Sequence, residues 1–170
     1  IRTALASGTG LVQLGPGVIE ITSELAVPSG AHDLEIRGAG SGTVLRASAN
    51  FQGRAVLSIR SAARIRLANF SIDGNRAALE KPLGLPPSDV PFSRYYANNG
   101  VLAEGVESLA ITDLKFVNTA NLAVLVAGSR NVRIERVQIS NSGSRNAAGR
   151  NNTTGGILFE EGTSGFEVRE

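Results

Sequence analysis

Three glutamates occupy equivalent places in this sequence, each after a short apolar segment and near a long polar loop. Glu104 follows "GVLA", and the pair Glu160 and Glu161 follows "GILF". Two carboxylates on neighbouring segments can hold Ca²⁺, or they can act as acid and base in hydrolysis of a glycosidic bond. The alternative is a set of solvated turn residues, because isolated glutamates are usually exposed. We assign all three as candidate catalytic residues and leave Ca²⁺ open as a cofactor.

The long loop before the first of these glutamates carries a second candidate group. Tyr95 and Tyr96 are adjacent in "SRYYANN" and are the only tyrosines of the chain. Aromatic faces stack on sugar rings, and Arg94 can pair with a carboxylate. The alternative is that one ring packs the loop onto the body of the protein, because a loop of this length needs an anchor. Together with Asp89 in "PPSDVP", these residues are the candidate substrate-binding set.

Other polar residues give weaker indications. Asp73 precedes a glycine in "IDGN", which predicts a turn. The lone His32 lies beside a turn and is interpreted as structural, so no histidine-based mechanism is supported. Three arginines lie in loops, and the sequence singles out none of them: Arg76, Arg145 and Arg150.

These candidates are positioned by a repeat of apolar residues. Three stretches show the same gaps of six, five and two residues between apolar positions. Each copy contains three short segments of alternating apolar residues, which is the period of a β-strand. The matching positions are Ile59, Ile65, Phe70 and Ile72; then Ala103, Leu109, Leu114 and Phe116; then Val126, Val132, Val137 and Ile139.

Three short strands repeated head to tail predict a coil whose turns stack as parallel strands about 4.8 Å apart. A two-sheet sandwich is disfavoured, because regularly placed Asn-Gly or Asp-Gly hairpin turns are lacking. The predicted fold class is therefore all-β, a right-handed single-stranded parallel β-helix with three short strands per coil. We expect one such domain over residues 1–170.

Within this domain, residues 1–30 are expected to form an N-terminal cap and the first coil, with "IRTALAS" as a short capping helix. Residues 31–170 contain the coils, with insertions at 73–99 and 141–155. Both insertions lie between the third strand of one coil and the first strand of the next, and loops leaving one side of a rigid scaffold commonly carry function. A partial coil begins at "GGILFEEGTSGFEVRE". We expect further residues beyond Glu170, because an open sheet edge is usually covered.

Composition limits the classes of function. The 170 residues are 42% hydrophobic and only 5% aromatic, so aliphatic side chains fill the core. The net charge of +2 is scattered without a run of like sign, which argues against nucleic acid as a partner. The absence of Cys excludes disulfides, and no apolar run reaches the length of a membrane span. The chain also lacks Met, so we expect a processed product or a fragment. Oligomeric state is left open.

The repeat resembles the pectate-lyase-like superfamily of right-handed parallel β-helices. The motifs that carry the resemblance are "GLVQLGPGVIEITSELAVPSGAHDLEIRGAGSGTVLRA", "LANFSIDGN" and "NVRIERVQISNS", which together cover most of the chain. In that family an Asn often occupies the corner between the second and third strands. Asn69 matches this position, whereas Asp113, Arg136 and Glu170 depart from it, which puts a stacked ladder of asparagines in doubt.

The resemblance implies a bacterial protein, secreted or periplasmic, that acts on a polysaccharide. The superfamily includes lyases, glycoside hydrolases, epimerases and non-catalytic proteins, so fold does not decide activity. A lyase similar to this family uses an Arg or Lys as base, with Ca²⁺ acidifying the proton beside a uronate carboxylate. We expect a lyase or glycoside hydrolase acting on an acidic polysaccharide in a groove beside the two insertions. The alternative is a non-catalytic carbohydrate-binding, structural or adhesin β-helix.

Overall fold

The protein has an all-β fold built on a curled sheet, and every strand pairing among the described residues is parallel. The structure is a computed structural model that describes residues 1–150 and 154–170. The helices are α1 (Arg2–Leu5), α2 (Arg76–Leu79) and α3 (Phe92–Tyr95), with a 3-10 turn at Gly40–Gly42. The strands are β1 (Gly10–Gln13), β2 (Gly17–Val27), β3 (His32–Arg37), β4 (Thr43–Arg60), β5 (Ala63–Asp73), β6 (Asn99–Glu104), β7 (Glu107–Val117), β8 (Val124–Ala127), β9 (Arg130–Glu135), β10 (Gln138–Ser140), β11 (Ile157–Phe159) and β12 (Ser164–Arg169).

The strands fall into three stacks. The first-strand stack contains the ends of β2 and β4, followed by β6, β8 and β11. The second-strand stack contains β1, β3, the starts of β5 and β7, then β9 and β12. The third-strand stack contains the starts of β2 and β4, the ends of β5 and β7, and β10. Long strands such as β4 therefore turn a corner and contribute to two stacks.

The register of these stacks confirms the apolar repeat. Ala103 of β6 pairs with Ile59 on one side and with Val126 on the other. The other columns align in the same way, for example Ile65 with Leu109 in the second-strand stack. Side chains from all three stacks contribute to one buried apolar cluster, so the repeat forms the core of the protein.

The corner between the second and third stacks requires left-handed backbone. Asn69, Asp113 and Arg136 occupy it with φ of 59°, 56° and 50°. Asn and Asp adopt that conformation more readily than Arg does. The doubt about an asparagine ladder is supported here, because a bidentate ion pair from Arg136 to Asp113, at 2.7 and 3.0 Å, links the two neighbouring corners.

Both ends of the chain pack against the stacks. At the N-terminal end, helix α1 buries Leu5 in the core. At the other end, Phe166 and Val168 pair in register with the second-strand stack, and Phe166 stacks on Phe159 with ring centroids 4.1 Å apart. No helix among the described residues is long and apolar enough to cross a membrane.

Candidate functional site

The first insertion, residues 74–98, leaves the third-strand stack after Asp73 and returns at β6. A Cβ added to Gly74 would lie 2.6 Å from Thr119 Cα, so the chain can pass this point only as glycine. Asn75 follows in the left-handed region with φ of 48°, and α2 begins at the next residue. The insertion therefore starts from a fixed point on the body.

Tyr96 anchors the other end of the insertion. Its side chain is 0% exposed, and its hydroxyl donates to the carbonyl oxygen of Gly84 at 3.1 Å. The ring meets Tyr95 edge-on and Phe92 at a tilt, with centroid distances of 5.1 and 5.5 Å. Tyr96 thus takes the packing position that the sequence offered as the alternative to sugar stacking, and Tyr95 is half-buried beside it.

The insertion also covers the outward face of the first-strand stack. Leu102 and Leu125 point away from the main core, yet both are fully buried. They form a second apolar cluster, whose members are Ala55, Leu102, Leu122 and Leu125 with Phe92 and Leu158 packed against them. Helix α3 is held over the sheet because its Phe92 fills this cluster.

A cleft of about 810 Å³ lies between the insertion and the ends of the first strands, and we call it the loop cleft. Its volume is typical of ligand-binding pockets. It is lined by residues 85–94, Glu104, Ala127, Glu160, Glu161 and Gly162. Five of the seven predicted site residues meet in it, namely Asp89, Arg94, Glu104, Glu160 and Glu161. The two tyrosines do not line it.

Glu104 has two arginine partners. Arg54 binds both of its carboxylate oxygens, and Arg60 Nε lies 3.0 Å from Glu104 Oε2. The same Arg54 donates to the carbonyl oxygen of Ser93 in α3 at 3.0 Å. Glu104 is therefore part of the contact that holds the insertion on the body.

Glu24 extends this charged network along the outward face of the first-strand stack. Its carboxylate accepts hydrogen bonds from Ser58 Oγ at 2.6 Å and from the backbone N–H of Arg54 at 2.8 Å, and pairs with Arg60 at 3.2 Å. Burial raises the pKa of Glu24, but these hydrogen bonds outweigh it, so the net pKa lies below its ordinary value.

Glu160 also has a positioning contact. Its carboxylate accepts hydrogen bonds from the backbone N–H groups of Phe92 and of Ser93, the latter at 3.3 Å. These are the first amides of α3, which have no partner inside the helix. A carboxylate here satisfies them and fixes the helix against β11.

Glu161 and Asp89 are different, because both are exposed and neither makes a hydrogen bond or ion pair with another residue in 1–150 or 154–170. Arg94 is likewise exposed and unpaired within those ranges. The loop cleft therefore contains two carboxylates held in place by the protein and two that are free to meet a ligand.

A second cleft of about 700 Å³ lies on the other side of the insertion, and we call it the polar cleft. It is lined by third-strand ends, α2 and the start of the second insertion, through Glu20, Arg46, Ala49, Asp73, Asn75, Arg76, Ala77, Glu80, Asn118, Asn141 and Arg145. Arg76 donates to Glu80 at 3.0 Å. That guanidinium, with the backbone N–H of Arg145, holds the pKa of Glu80 below its ordinary value.

The polar cleft was not predicted from the sequence. Asp73 was interpreted as a turn residue, and its Oδ1 does accept the backbone N–H of Asn75 at 3.1 Å. Its other oxygen accepts from Arg46 Nε at 3.0 Å in the cleft wall. A signal was present, because Glu20, Arg46 and Asp73 occupy one register column of the third-strand stack. Following polar positions through the repeat, as was done for apolar ones, would have aligned them.

The remaining candidates are placed as follows. Arg76 and Arg145 line the polar cleft, and Arg150 lines neither cleft. His32 is exposed, and its Nδ1 lies 3.2 Å from the carbonyl oxygen of Gly30 in a turn. Within the described ranges, no group of three or more Asp, Glu, His or Cys side chains is placed to hold a metal ion. The predicted insertion at 141–155 includes residues 151–153, which lie outside the described residues.

Among solved structures, this chain is similar to a protein from Parabacteroides merdae ATCC 43184 that is provisionally named a glycosyl hydrolase. The TM-score is 0.70 at 18% sequence identity, and the match covers 99% of this chain and 86% of that one. No family model matches the sequence, and no curated protein matches it either. At this identity the similarity shows a shared fold.

Proposed function

We propose that the three stacks wind as a right-handed parallel β-helix of the pectate-lyase-like type, and that the protein is a glycoside hydrolase whose loop cleft binds a neutral polysaccharide. The strand register supports the first part, because successive copies of the repeat pair in parallel. The similarity to the P. merdae protein, with its provisional name, supports a carbohydrate as the class of ligand.

The observation that carries the proposal is the contrast between the two walls of the loop cleft. One wall is a proline-rich segment, residues 85–91, that presents apolar side chains such as Leu85, which is 62% exposed, together with the carboxylate of Asp89. The other wall presents three carboxylates, of which that of Glu161 makes no hydrogen bond or ion pair with another described residue. A sugar ring offers C–H faces to the first wall and hydroxyl donors to the second, so the cleft matches both sides of a pyranose.

The charge of the cleft favours a neutral sugar over the acidic one expected from the resemblance. Four carboxylates line it against one guanidinium, that of Arg94. At close range these carboxylates repel the carboxylate of a uronate. Arg54 and Arg60, which pair with Glu104, offset that repulsion only in part. A lyase depends on binding a uronate carboxylate, so the same charge favours hydrolysis over elimination.

We assign the two free carboxyls to the chemistry and the two held ones to positioning. Glu161 serves as general acid and gives its proton to the glycosidic oxygen as the bond to the anomeric carbon breaks. Asp89 takes a proton from the water whose oxygen bonds to that carbon. Glu104 and Glu160, which the sequence placed in the catalytic set, hold the insertion wall at the correct distance.

The second candidate function is carbohydrate binding without catalysis. The favouring observation is that Glu104 and Glu160 are both engaged in structural contacts, with arginines and with the amides of α3. A protein that keeps two of its four cleft carboxylates for architecture has fewer groups to act as an acid–base pair. The two functions share a ligand class and differ in product release.

The deciding experiment measures new reducing ends from xylan, galactomannan and mixed-linkage β-glucan, with polygalacturonate as the charged comparison. We expect release from a neutral polymer, and a loss of at least about 100-fold in Glu161→Gln and in Asp89→Asn, the usual size of a general acid–base contribution. Glu170→Gln is the matched control, because Glu170 is also exposed and unpaired within the described residues but lies outside the cleft.

Three results would change the assignment. Retention of a neutral polymer without release of reducing ends would favour the non-catalytic function. Preference for polygalacturonate would contradict the charge argument. Failure to bind or cleave any of the four polymers would overturn the proposal.

A further inference from the structure

We infer that the polar cleft is a second binding site, separate from the loop cleft, for a neutral hydroxyl-rich ligand such as an oligosaccharide. This inference rests on the proposed function for the class of ligand alone. The cleft lies where both insertions meet the third-strand stack, with α2 of the first insertion on one side and Asn141 and Arg145 of the second on the other. Its residues share no member with the lining of the loop cleft.

The wall of the polar cleft is fixed in advance by a continuous chain of hydrogen bonds. Asp73 accepts from Arg46 Nε at 3.0 Å and from Asn118 Nδ2 at 3.2 Å. Asn118 Oδ1 accepts from Asn141 Nδ2 at 2.7 Å, and Asn141 Oδ1 accepts from Arg76 Nη1 at 3.2 Å. Side chains from four different parts of the chain are therefore held in one relative geometry.

Two members of this chain are charged and nearly buried. Asp73 and Arg76 are each 8% exposed, and both reach the cleft. Ordering such groups costs free energy on binding unless the protein has already ordered them. Here each has a charged partner, Arg46 for Asp73 and Glu80 for Arg76, so a ligand meets a preformed polar surface.

The cleft also holds polar groups that are still free to bind. Within residues 1–150 and 154–170, the Glu20 carboxylate, the Arg145 guanidinium and the Asn75 side-chain amide make no hydrogen bond to another residue. They supply both donors and acceptors, which a hydroxyl group needs because it does both.

The charge balance selects a neutral ligand. Three carboxylates line the cleft, those of Glu20, Asp73 and Glu80, and three guanidinium groups face them. A polyanion or polycation gains no net attraction from such a lining, whereas a polyol can bond to each charged group in turn. The loop cleft, by contrast, is acidic.

The test is a titration of isotope-labelled protein followed by NMR. The probes are cellohexaose, xylohexaose and mannohexaose, each up to about 10 mM, a range that detects weak sugar binding. The reporters are the side-chain amide signals of Asn118 and Asn141 for the polar cleft and the backbone signals of Asp89 and Glu161 for the loop cleft. We expect at least one probe to shift the polar-cleft reporters.

Variants separate a binding site from an indirect effect. Arg145→Ala and Glu20→Gln remove exposed groups, so both should fold, and each should weaken binding at the polar cleft by about tenfold, the cost of one charge-assisted hydrogen bond. Arg150→Ala is the matched control, since it lies in the same insertion and outside the cleft lining. Neither Arg145→Ala nor Glu20→Gln should change the sugar-induced shifts of the backbone signals of Asp89 and Glu161.

The titration can contradict the inference about the polar cleft and the proposed function of the loop cleft separately. Shifts at Asn118 and Asn141 without shifts at Asp89 and Glu161 would overturn the proposed function and keep this inference. No shift at Asn118 and Asn141 with any of the three probes would overturn the inference. So would shifts there that Arg145→Ala and Glu20→Gln leave unchanged.

Discussion

The loop cleft and the polar cleft share the first insertion as a wall: residues 85–94 face the loop cleft, and residues 75–77 with Glu80 face the polar cleft. In the polar cleft two of the three carboxylates are paired with arginines of the same wall. In the loop cleft Glu104 and Glu160 are held, while Asp89 and Glu161 have no partner among the described residues. Paired charges suit recognition because their geometry is fixed, and carboxylates without a charged partner have oxygen atoms left to exchange a proton with a bound ligand or water.

The largest effect should come from the anchor that both clefts share. Tyr96→Ala removes a fully buried ring, and we expect a loss of about 3–5 kcal/mol in the free energy of unfolding, together with binding at both clefts. Tyr96→Phe is the control, because it keeps the buried ring and removes the hydrogen bond to Gly84, which contributes about 1 kcal/mol. Urea unfolding measures both. If Tyr96→Ala still bound sugar at either cleft, Tyr96 would not anchor the wall that the two clefts share.

Next in size is the loss of the charge opposite Arg76. Glu80→Gln leaves a nearly buried guanidinium beside a neutral amide, and we expect about 2–3 kcal/mol of destabilisation. Sugar binding at the polar cleft should fall, and that at the loop cleft should stay. An equal loss at both clefts in the NMR titration would show that the clefts are coupled.

The corresponding change in the loop cleft is Glu160→Gln, with a smaller expected cost of about 1 kcal/mol, because the amide oxygen can still accept from the α3 backbone. Release of reducing ends should fall while binding at the polar cleft is unchanged. Together with Glu80→Gln this makes a reciprocal pair of variants. A wild-type rate in Glu160→Gln would mean that α3 needs no carboxylate to be positioned.

Acidification should weaken the protein gradually. The folded-state pKa values of Glu24 and Glu80 lie below their ordinary values, so their contribution to stability is fully present above the unfolded-state pKa of about 4.3. It is lost as the pH falls through the lower, folded-state values. Urea midpoints measured between neutral and acidic pH should fall in the wild type and fall less in Glu80→Gln. A midpoint that rose on acidification would contradict the assigned direction.

The smallest effect is expected away from both clefts. Arg136→Ala breaks the exposed pair with Asp113 on the corner of the second stack, and such surface pairs contribute little. We expect an unchanged urea midpoint and unchanged binding at both clefts. A clear loss of binding would show that residues at this corner influence the clefts through the strand stacks. It would contradict the view that the two clefts depend on the insertions and not on distant corners.

The body of the protein was predictable because its information is local and repeated. Residues such as Ile65 and Leu109 alternate with outward positions along a strand, and the same spacing recurs in the next copy, so the register follows from the sequence. The sequence also showed that Asp113 and Arg136 replace the asparagine expected at the corner. It did not predict the ion pair between them, because Arg is rare in left-handed backbone and its partner at such a corner cannot be inferred from the spacing.

The sequence indicated which glutamates lie near one another but not what each of them contacts. Glu104, Glu160 and Glu161 line one cleft, and their neighbourhood follows from the repeat, which places them after equivalent strands. That Glu160 would bind the amides of α3, sixty-eight residues earlier in the chain, depends on the path of an insertion that has no second copy to compare. The burial of Tyr96 has the same origin.

The second apolar cluster gives the first insertion a role in solubility. Leu102 and Leu125 lie on the outward face of the first-strand stack and are buried in a cluster against which Phe92 of α3 packs. A version of this protein with the insertion shortened to a tight turn would present neighbouring leucines on a flat parallel sheet, a surface prone to self-association. Any engineering of the loop to alter either cleft therefore has to replace those leucines with polar residues at the same time.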